Sequence, residues 1–197
     1  MTAEIPEALR LPNRDGPLPP DVRFLIEKYP RPVWSGHANY GDMTRFWISR
    51  HDMFRELGEM LTGATRQFRE VGLDPLGFRQ FLGPRLRFML SSLEGHHQIE
   101  DLHYFPRFRR LDTRLEAGFD LLENDHEVIH AQLLEVAASG RSLLEALSGT
   151  GDPRRAVETY AADAERLIAW LTRHLGDEED LFVPVVLDRG EAAVGLD

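Results

Sequence analysis

Four stretches of this sequence carry apolar residues at alternating steps of three and four, and polar residues interrupt each stretch near its middle. Such steps are typical of the inward face of an α-helix in a bundle. One stretch runs through Val157, Tyr160, Ala164, Leu167 and Leu171 and continues with His174, Glu178 and Leu181. The pattern predicts four helices of about 25–30 residues joined by short loops. We therefore expect an all-α, up-down four-helix bundle.

Proline separates an N-terminal segment from this helical part. Seven of the 12 prolines lie within residues 1–32, and each proline removes a backbone donor and restricts the residue before it. Residues 1–40 are therefore expected to form a mostly extended arm, with one short helix at Asp21–Lys28. Residues 41–190 would form the bundle and residues 191–197 a C-terminal tail.

Two glycine-containing segments predict helix boundaries. Gly72-Leu73-Asp74-Pro75 and Gly149-Thr150-Gly151-Asp152-Pro153 each place aspartate as an N-cap before a proline at the first helical position. Within the second helix, Gly83-Pro84 is expected to cause a kink or a restart.

Composition excludes several classes of function. The net charge is −10, which argues against an electrostatic nucleic-acid binder and against binding to an anionic membrane. No apolar run reaches the roughly 18 residues of a transmembrane helix, and the N-terminus lacks the pattern of a signal peptide. The absence of cysteine excludes disulfides, thiolate metal sites and cysteine nucleophiles. A soluble, cytoplasmic protein is expected.

The polar residues that interrupt the helical pattern are candidate metal ligands. Unpaired titratable groups are costly inside an apolar core, and a metal ion would satisfy them. Histidine and glutamate four residues apart share one helix face, and this donor set suits iron, manganese or zinc. The candidates are His51, His96, Glu100, His126, His130, His174 and Glu178.

The candidate ligands also occur in a duplicated pattern. His96-x3-Glu100-Asp101-x4-Pro106 matches His174-x3-Glu178-Glu179-x4-Pro184, and a single histidine lies 45 and 48 residues before the two motifs. Two helix pairs of one design predict a pseudo-twofold bundle with the site on its axis.

Residues 42–187 resemble the hemerythrin-like HHE cation-binding family in the pattern H…H-x-x-x-E…H-x-x-x-H…H-x-x-x-E. The resemblance implies a four-helix bundle around a non-haem diiron site with the seven candidate residues as ligands. In oxygen-carrying hemerythrins the last carboxylate is an aspartate five residues after its histidine. Glu179 occupies that offset here and Glu178 lies at four, which argues against a pure oxygen-carrier role.

Counting ligands makes His130 the most informative residue. Two octahedral irons offer about twelve coordination positions. Five imidazoles, two bridging carboxylates and a bridging oxygen would fill about eleven of them and leave one position for a diatomic ligand. The three-and-four pattern continues through Ile129 and not through the neighbouring His130. His130 could therefore lie outside the ligand set, which would leave two coordination positions open. His97 is expected outside the ligands or at the surface.

The expected function is binding of O2, NO or peroxide for sensing, storage or detoxification. Two alternatives remain: an iron-donor or iron–sulfur repair protein, and a regulatory interaction module stabilised by metal. A ferritin-like carboxylate site fits less well, because His51 stands where that site requires glutamate. The sequence reveals no catalytic base or nucleophile, and it leaves protein partners and oligomeric state open.

Overall fold

A computed structural model describes residues 5–72, 74–149 and 152–195, and this part of the chain is all-α, a helical bundle without strands. The fold class expected from the sequence is confirmed. The helices are α1 (Asp42–Val71), α2 (Pro75–Ile99), α3 (Phe105–Leu111), α4 (Glu116–Ala146), α5 (Pro153–Arg189) and α6 (Glu191–Val194). A π-helical turn, Glu100–Tyr104, connects α2 to α3. None of the described helices is long and apolar enough to cross a membrane.

Aspartate and proline begin two of the long helices, as predicted. Asp74 Oδ2 accepts a hydrogen bond from the backbone N–H of Gly77 at 2.7 Å, and Pro75 is the first residue of α2. Asp152 Oδ1 accepts from the backbone N–H of Arg154 at 3.0 Å at the start of α5. Leu73, Thr150 and Gly151, also part of the predicted boundaries, lie outside the described residues.

The second helix is interrupted later than the sequence suggests. Of the kink or restart predicted at Gly83-Pro84, the restart is wrong, because α2 continues through Pro84; the kink stays a prediction. The regular α-helical pattern changes instead at Glu100, where the π-helical turn begins. In the matching motif Pro184 lies inside α5, which continues to Arg189. The two similar sequence motifs therefore have different backbone conformations.

The described residues divide into two compact units, and each long helix contributes a segment to both. The first unit contains the described parts of residues 1–52, 97–127 and 172–197, and the second those of 53–96 and 128–171. The second unit is formed by four helix segments. A side-chain carbon at Gly140 of α4 would lie 2.5 Å from Leu86 of α2 and 3.6 Å from Tyr160 of α5. Phe68 and Phe78 stack between α1 and α2 with ring centroids 4.4 Å apart.

The first unit has an aromatic core to which the N-terminal arm contributes. Its buried residues include Leu18, Val22, Trp34, Trp47, Phe105, Phe108, Phe119 and Phe182. The expectation of a mostly extended arm is only partly met, because four 3-10 turns occur in it: Glu7–Leu9, Leu11–Asn13, Phe24–Ile26 and Arg31–Gly36. The short helix expected at Asp21–Lys28 is reduced to the third of these turns. Three arm residues, Leu18, Val22 and Trp34, belong to the core itself.

The C-terminal segment also packs into the first unit. Glu191 Oε1 accepts hydrogen bonds from the backbone N–H and the hydroxyl of Thr44, both at 2.6 Å. These contacts satisfy donors in the first turn of α1, where helices leave backbone N–H groups without intrahelical partners. Val194 is buried. Glu191, expected to lie in a C-terminal tail, thus contacts the beginning of the first long helix.

We predict that the second unit depends on close packing at Leu82, which is fully buried in α2. Leu82→Ala should lower the free energy of unfolding by about 2–5 kcal/mol, because it removes apolar contacts and leaves a cavity. Urea denaturation checks this. Leu134→Ala is the matched control, since Leu134 of α4 is 61% exposed, and its effect should stay within about 0.5 kcal/mol. Equal effects of the two substitutions would contradict the prediction.

Candidate metal centre

Three buried histidines form one group of candidate ligand atoms. His97, His126 and His174 each offer a ring nitrogen, and these atoms all lie within 4.8 Å of one another. Nε2 of His126 is 3.0 Å from Nε2 of His174. The rings of His97 and His126 stack with centroids 4.0 Å apart. Three imidazoles directed to one point in a buried region are suited to one metal ion.

A second group combines histidine with carboxylate. His51, His96, Glu100 and Glu178 offer ligand atoms that also lie within 4.8 Å of one another. Adjacent residues on α2 supply both groups: successive positions on a helix are rotated by about 100°, so His96 joins the second group and His97 the first. Sequence spacing alone favoured His96, because only His96 continues the three-and-four pattern.

The two carboxylates lie between the two groups of histidines. Oε2 of Glu178 is 3.6 Å from Nε2 of His51 and 3.5 Å from Nε2 of His174. Oε2 of Glu100 is 3.8 Å from Nε2 of His126. Glu178 therefore lies near a histidine of each group. Glu100, itself a member of the second group, lies near a histidine of the first. This is the arrangement that carboxylates bridging two metal ions require.

Burial makes these two carboxylates electrostatically costly. Both side chains are fully buried. Burial raises the pKa of Glu100 to about 7, although the charge of His126 and a hydrogen bond from Trp47 Nε1 oppose the shift. Burial and then the neighbouring charge of Glu100 raise the pKa of Glu178 well above its usual value. Two carboxyl groups in this setting need positive charge beside them to remain ionised.

Outer carboxylates orient three of the histidines. Asp101 Oδ1 lies 2.7 Å from Nδ1 of His126, and Glu179 Oε1 lies 3.0 Å from Nδ1 of His51. Asp125 Oδ2 is 3.5 Å from Nδ1 of His174. A carboxylate that accepts a hydrogen bond from Nδ1–H favours the tautomer with its lone pair on Nε2, the nitrogen that faces the centre. This is the usual environment of a histidine that binds metal.

The donors fit a metal site on two further observations. No N–H group donates to either buried oxygen of Glu178 within the described part of the chain. With Nδ1 protonated on both His126 and His174, two Nε2 lone pairs face each other at 3.0 Å. A cation would satisfy both features at once, whereas without one the two carboxyl groups must share a proton and one of the two imidazoles must donate from Nε2.

The structure brings together six of the seven ligands expected from the sequence: His51, His96, Glu100, His126, His174 and Glu178. It does not bring His130 to either group. The side chain of His130 is 51% exposed, and its Nδ1 lies 2.7 Å from Glu94 Oε2. Ile129, which takes the helical step, is fully buried in its place.

Sequence reasoning missed His97, which it placed outside the ligands. The available signal was the adjacent pair His96-His97. Two neighbouring side chains on a helix point about 100° apart, so they can reach two adjacent metal ions. The π-helical turn that begins at Glu100 was not foreseen either. Turns of this kind are frequent at functional sites.

The comparisons with known proteins identify a family. The family described as "Hemerythrin HHE cation binding domain" matches residues 42–186, so the expected resemblance is confirmed. No curated protein and no solved structure matches the chain. Cation binding is therefore supported both by the family and by the two groups of ligand atoms.

We predict that the buried carboxylate of Glu178 lowers the stability of the metal-free protein. Glu178→Met should raise the free energy of unfolding of the metal-free protein by about 1–4 kcal/mol, because a methionine of similar size replaces a buried carboxylate. Urea denaturation after chelation and desalting provides the measurement. Glu127→Met on exposed α4 surface is the control and should change stability by less than about 0.5 kcal/mol. A metal-free Glu178→Met protein no more stable than wild type would contradict this interpretation.

Proposed function

We propose, since the chain belongs to the hemerythrin HHE cation-binding domain family, that it holds two iron ions and binds O2 or a related small oxidant. The observation that carries this proposal is the position of Glu100 and Glu178 between two groups of histidines. A site for a single ion needs no second group. Seven nitrogen and oxygen donors are also more than one four-coordinate zinc uses.

The proposed ligand set differs from the sequence-based one at a single residue. His97, His126 and His174 would bind one iron, and His51 and His96 the other. Glu100 and Glu178 would bridge both ions. His97 thus takes the position that the sequence pattern gives to His130.

This assignment locates the open coordination position. An octahedral iron has about six positions. Three imidazoles and the two carboxylates would hold the first iron, whereas the second would have only two imidazoles beside the same carboxylates and so would have room for one more ligand. The small ligand would therefore bind on the side of His51 and His96.

Aromatic side chains shield the two histidines on that side. In the first unit the Trp47 ring lies 4.0 Å from the ring of His51, centroid to centroid, and Trp47 also donates to Glu100. In the second unit the fully buried ring of Phe54 lies 5.3 Å from the ring of His96. These side chains exclude water and hold the ligand rings in place. A pair of ferrous ions bound there supplies electrons to an oxidant.

The roles for such chemistry remain sensing, storage or detoxification of O2, NO or peroxide. Iron is the proposed metal, and manganese and zinc are alternatives because the same nitrogen and oxygen donors can bind them. A cytoplasmic location is part of the proposal, and cell fractionation tests it.

We predict that His97 and His130 differ in their effect on metal content. Reconstituted wild-type protein should contain two irons per chain. His97→Ala should lose one of them or bind it at least about tenfold more weakly, because it removes one of three imidazoles from a single ion. His130→Ala removes the same group from the surface and should retain both irons. Elemental analysis measures the content, and loss in His130→Ala with retention in His97→Ala would favour the sequence-based ligand set.

We predict that the reduced, iron-loaded protein reacts with O2. Anaerobic protein should develop a new visible absorption band on addition of O2, and NO should produce a different one, because the open position admits a diatomic ligand. A band that disappears when O2 is removed indicates binding for storage or sensing. Permanent oxidation indicates detoxification, and release of iron would favour the iron-donor alternative. A spectrum unchanged by O2, NO and peroxide would overturn the proposal and favour the metal-stabilised interaction module.

A further inference from the structure

Arg14 of the N-terminal arm is buried against two carboxylates of the first unit. Its side chain is 3% exposed. Nη2 lies 2.5 Å from Asp125 Oδ2 and 2.9 Å from Asp177 Oδ2, and Nε lies 3.1 Å from Asp177 Oδ2. Burial alone would lower the pKa of Arg14, but the hydrogen bonds and charges of both aspartates raise it overall. The guanidinium is therefore a fixed cation between α4 and α5.

Asp125 connects this cation to a proposed ligand. Asp125 Oδ2, the oxygen that Arg14 contacts, is also the oxygen 3.5 Å from Nδ1 of His174. A carboxylate held on one side by a fork of donors has little freedom to rotate away from the imidazole on the other side. The orientation of His174 thus depends on a side chain of the arm.

Arg31 repeats the arrangement at a second histidine. Its Nη1 donates to Glu179 Oε2 at 2.6 Å, its Nε to Asp180 Oδ1 at 2.8 Å, and its Nη2 to the carbonyl of Gly176 at 2.8 Å. The other oxygen of Glu179, Oε1, lies 3.0 Å from Nδ1 of His51. One guanidinium thus fixes Glu179 relative to the backbone of α5.

We propose that Arg14 and Arg31 are positioning residues of the metal centre. Each holds the carboxylate that orients one histidine, His174 in the first group and His51 in the second. This inference deepens the proposed function and rests on it. Both arginines lie outside residues 42–186, the range that matches the family. In this proposal the arm helps to orient the metal ligands, in addition to packing against the core.

The third outer carboxylate provides a comparison within the molecule. Asp101, which contacts His126, belongs to the π-helical turn and not to α4 or α5. Like Glu179, it directly follows a proposed bridging carboxylate, but the contacts described for Arg14 and Arg31 do not include it. Loss of the arm contacts should therefore disturb His174 and His51 while the contact of His126 remains.

Arg31 offers the sharper test, because its side chain is 45% exposed. Arg31→Met removes a half-exposed cation, so no buried cation is left unpaired, but its partner Glu179 is 3% exposed and loses a donor; urea denaturation therefore first establishes that the variant folds. A matched control exists on the same arm: Lys28 contacts Asp188 of α5 at 2.6 Å, with its side chain 61% exposed and no proposed ligand in contact with that pair. Lys28→Met removes a similar arm-to-helix ion pair away from the histidines.

The experiment measures Fe(II) affinity by anaerobic competition with a chromogenic chelator in the full-length protein. Arg31→Met should bind one Fe(II) at least about tenfold more weakly than wild type, and Co(II)-loaded protein should show a shifted visible spectrum. Lys28→Met should match wild type in both respects, and urea denaturation should show a cooperative unfolding transition for both metal-free variants. Arg14→Met should weaken Fe(II) binding as well.

The outcomes separate the two proposals. Wild-type affinity and an unchanged Co(II) spectrum in Arg31→Met would overturn the positioning role while leaving the metal centre in place. Equal weakening in Arg31→Met and Lys28→Met would also overturn it, because arm attachment in general would then explain the effect. A wild-type protein that binds no Fe(II) would instead refute the proposed function.

Discussion

Two fully buried carboxylates that face two groups of histidines are the constraint on which the rest of this structure depends. Glu100 and Glu178 are fully buried, and burial raises the pKa of each. The basic groups of the first unit contact outer carboxylates instead: Arg14 contacts Asp125, and Arg31 contacts Glu179. Trp47 Nε1 donates to Glu100 Oε1 at 2.8 Å, and imidazole nitrogens lie 3.5–3.8 Å from the two carboxylates. A bound metal ion would supply positive charge beside both carboxylates.

The helices and the arm can be understood as the means of holding these donors in place. Adjacent histidines at 96 and 97 reach different groups because a helix rotates by about 100° per residue. The arm places one arginine behind the carboxylate of His174 and another behind that of His51. In the proposed centre, helices would supply the ligands, and contacts distant in sequence would restrict the rotation of those ligands. A metal centre assembled in this way is specified largely by packing outside its own motifs.

The features that follow from helical periodicity and capping could be predicted from the sequence. The three-and-four pattern predicted the long helices, and Asp74 and Asp152 predicted where two of them begin. The pattern could not identify His97, because it assigns only one of two adjacent helix residues to the inward face. It also missed Arg14, since a buried arginine in a proline-rich segment carries no periodic signal and its partners lie 111 and 163 residues away. Long-range ion pairs of this kind are determined by the tertiary fold.

Anomalous diffraction at the iron edge from crystals of the iron-loaded protein tests the central claim most directly. The account predicts two peaks about 3.5–4 Å apart. One peak should lie about 2 Å from ring nitrogens of His97, His126 and His174, and the other about 2 Å from those of His51 and His96. Oxygens of Glu100 and Glu178 should contact both. A single peak, or a peak bound by His130 with His97 turned away, would contradict the account.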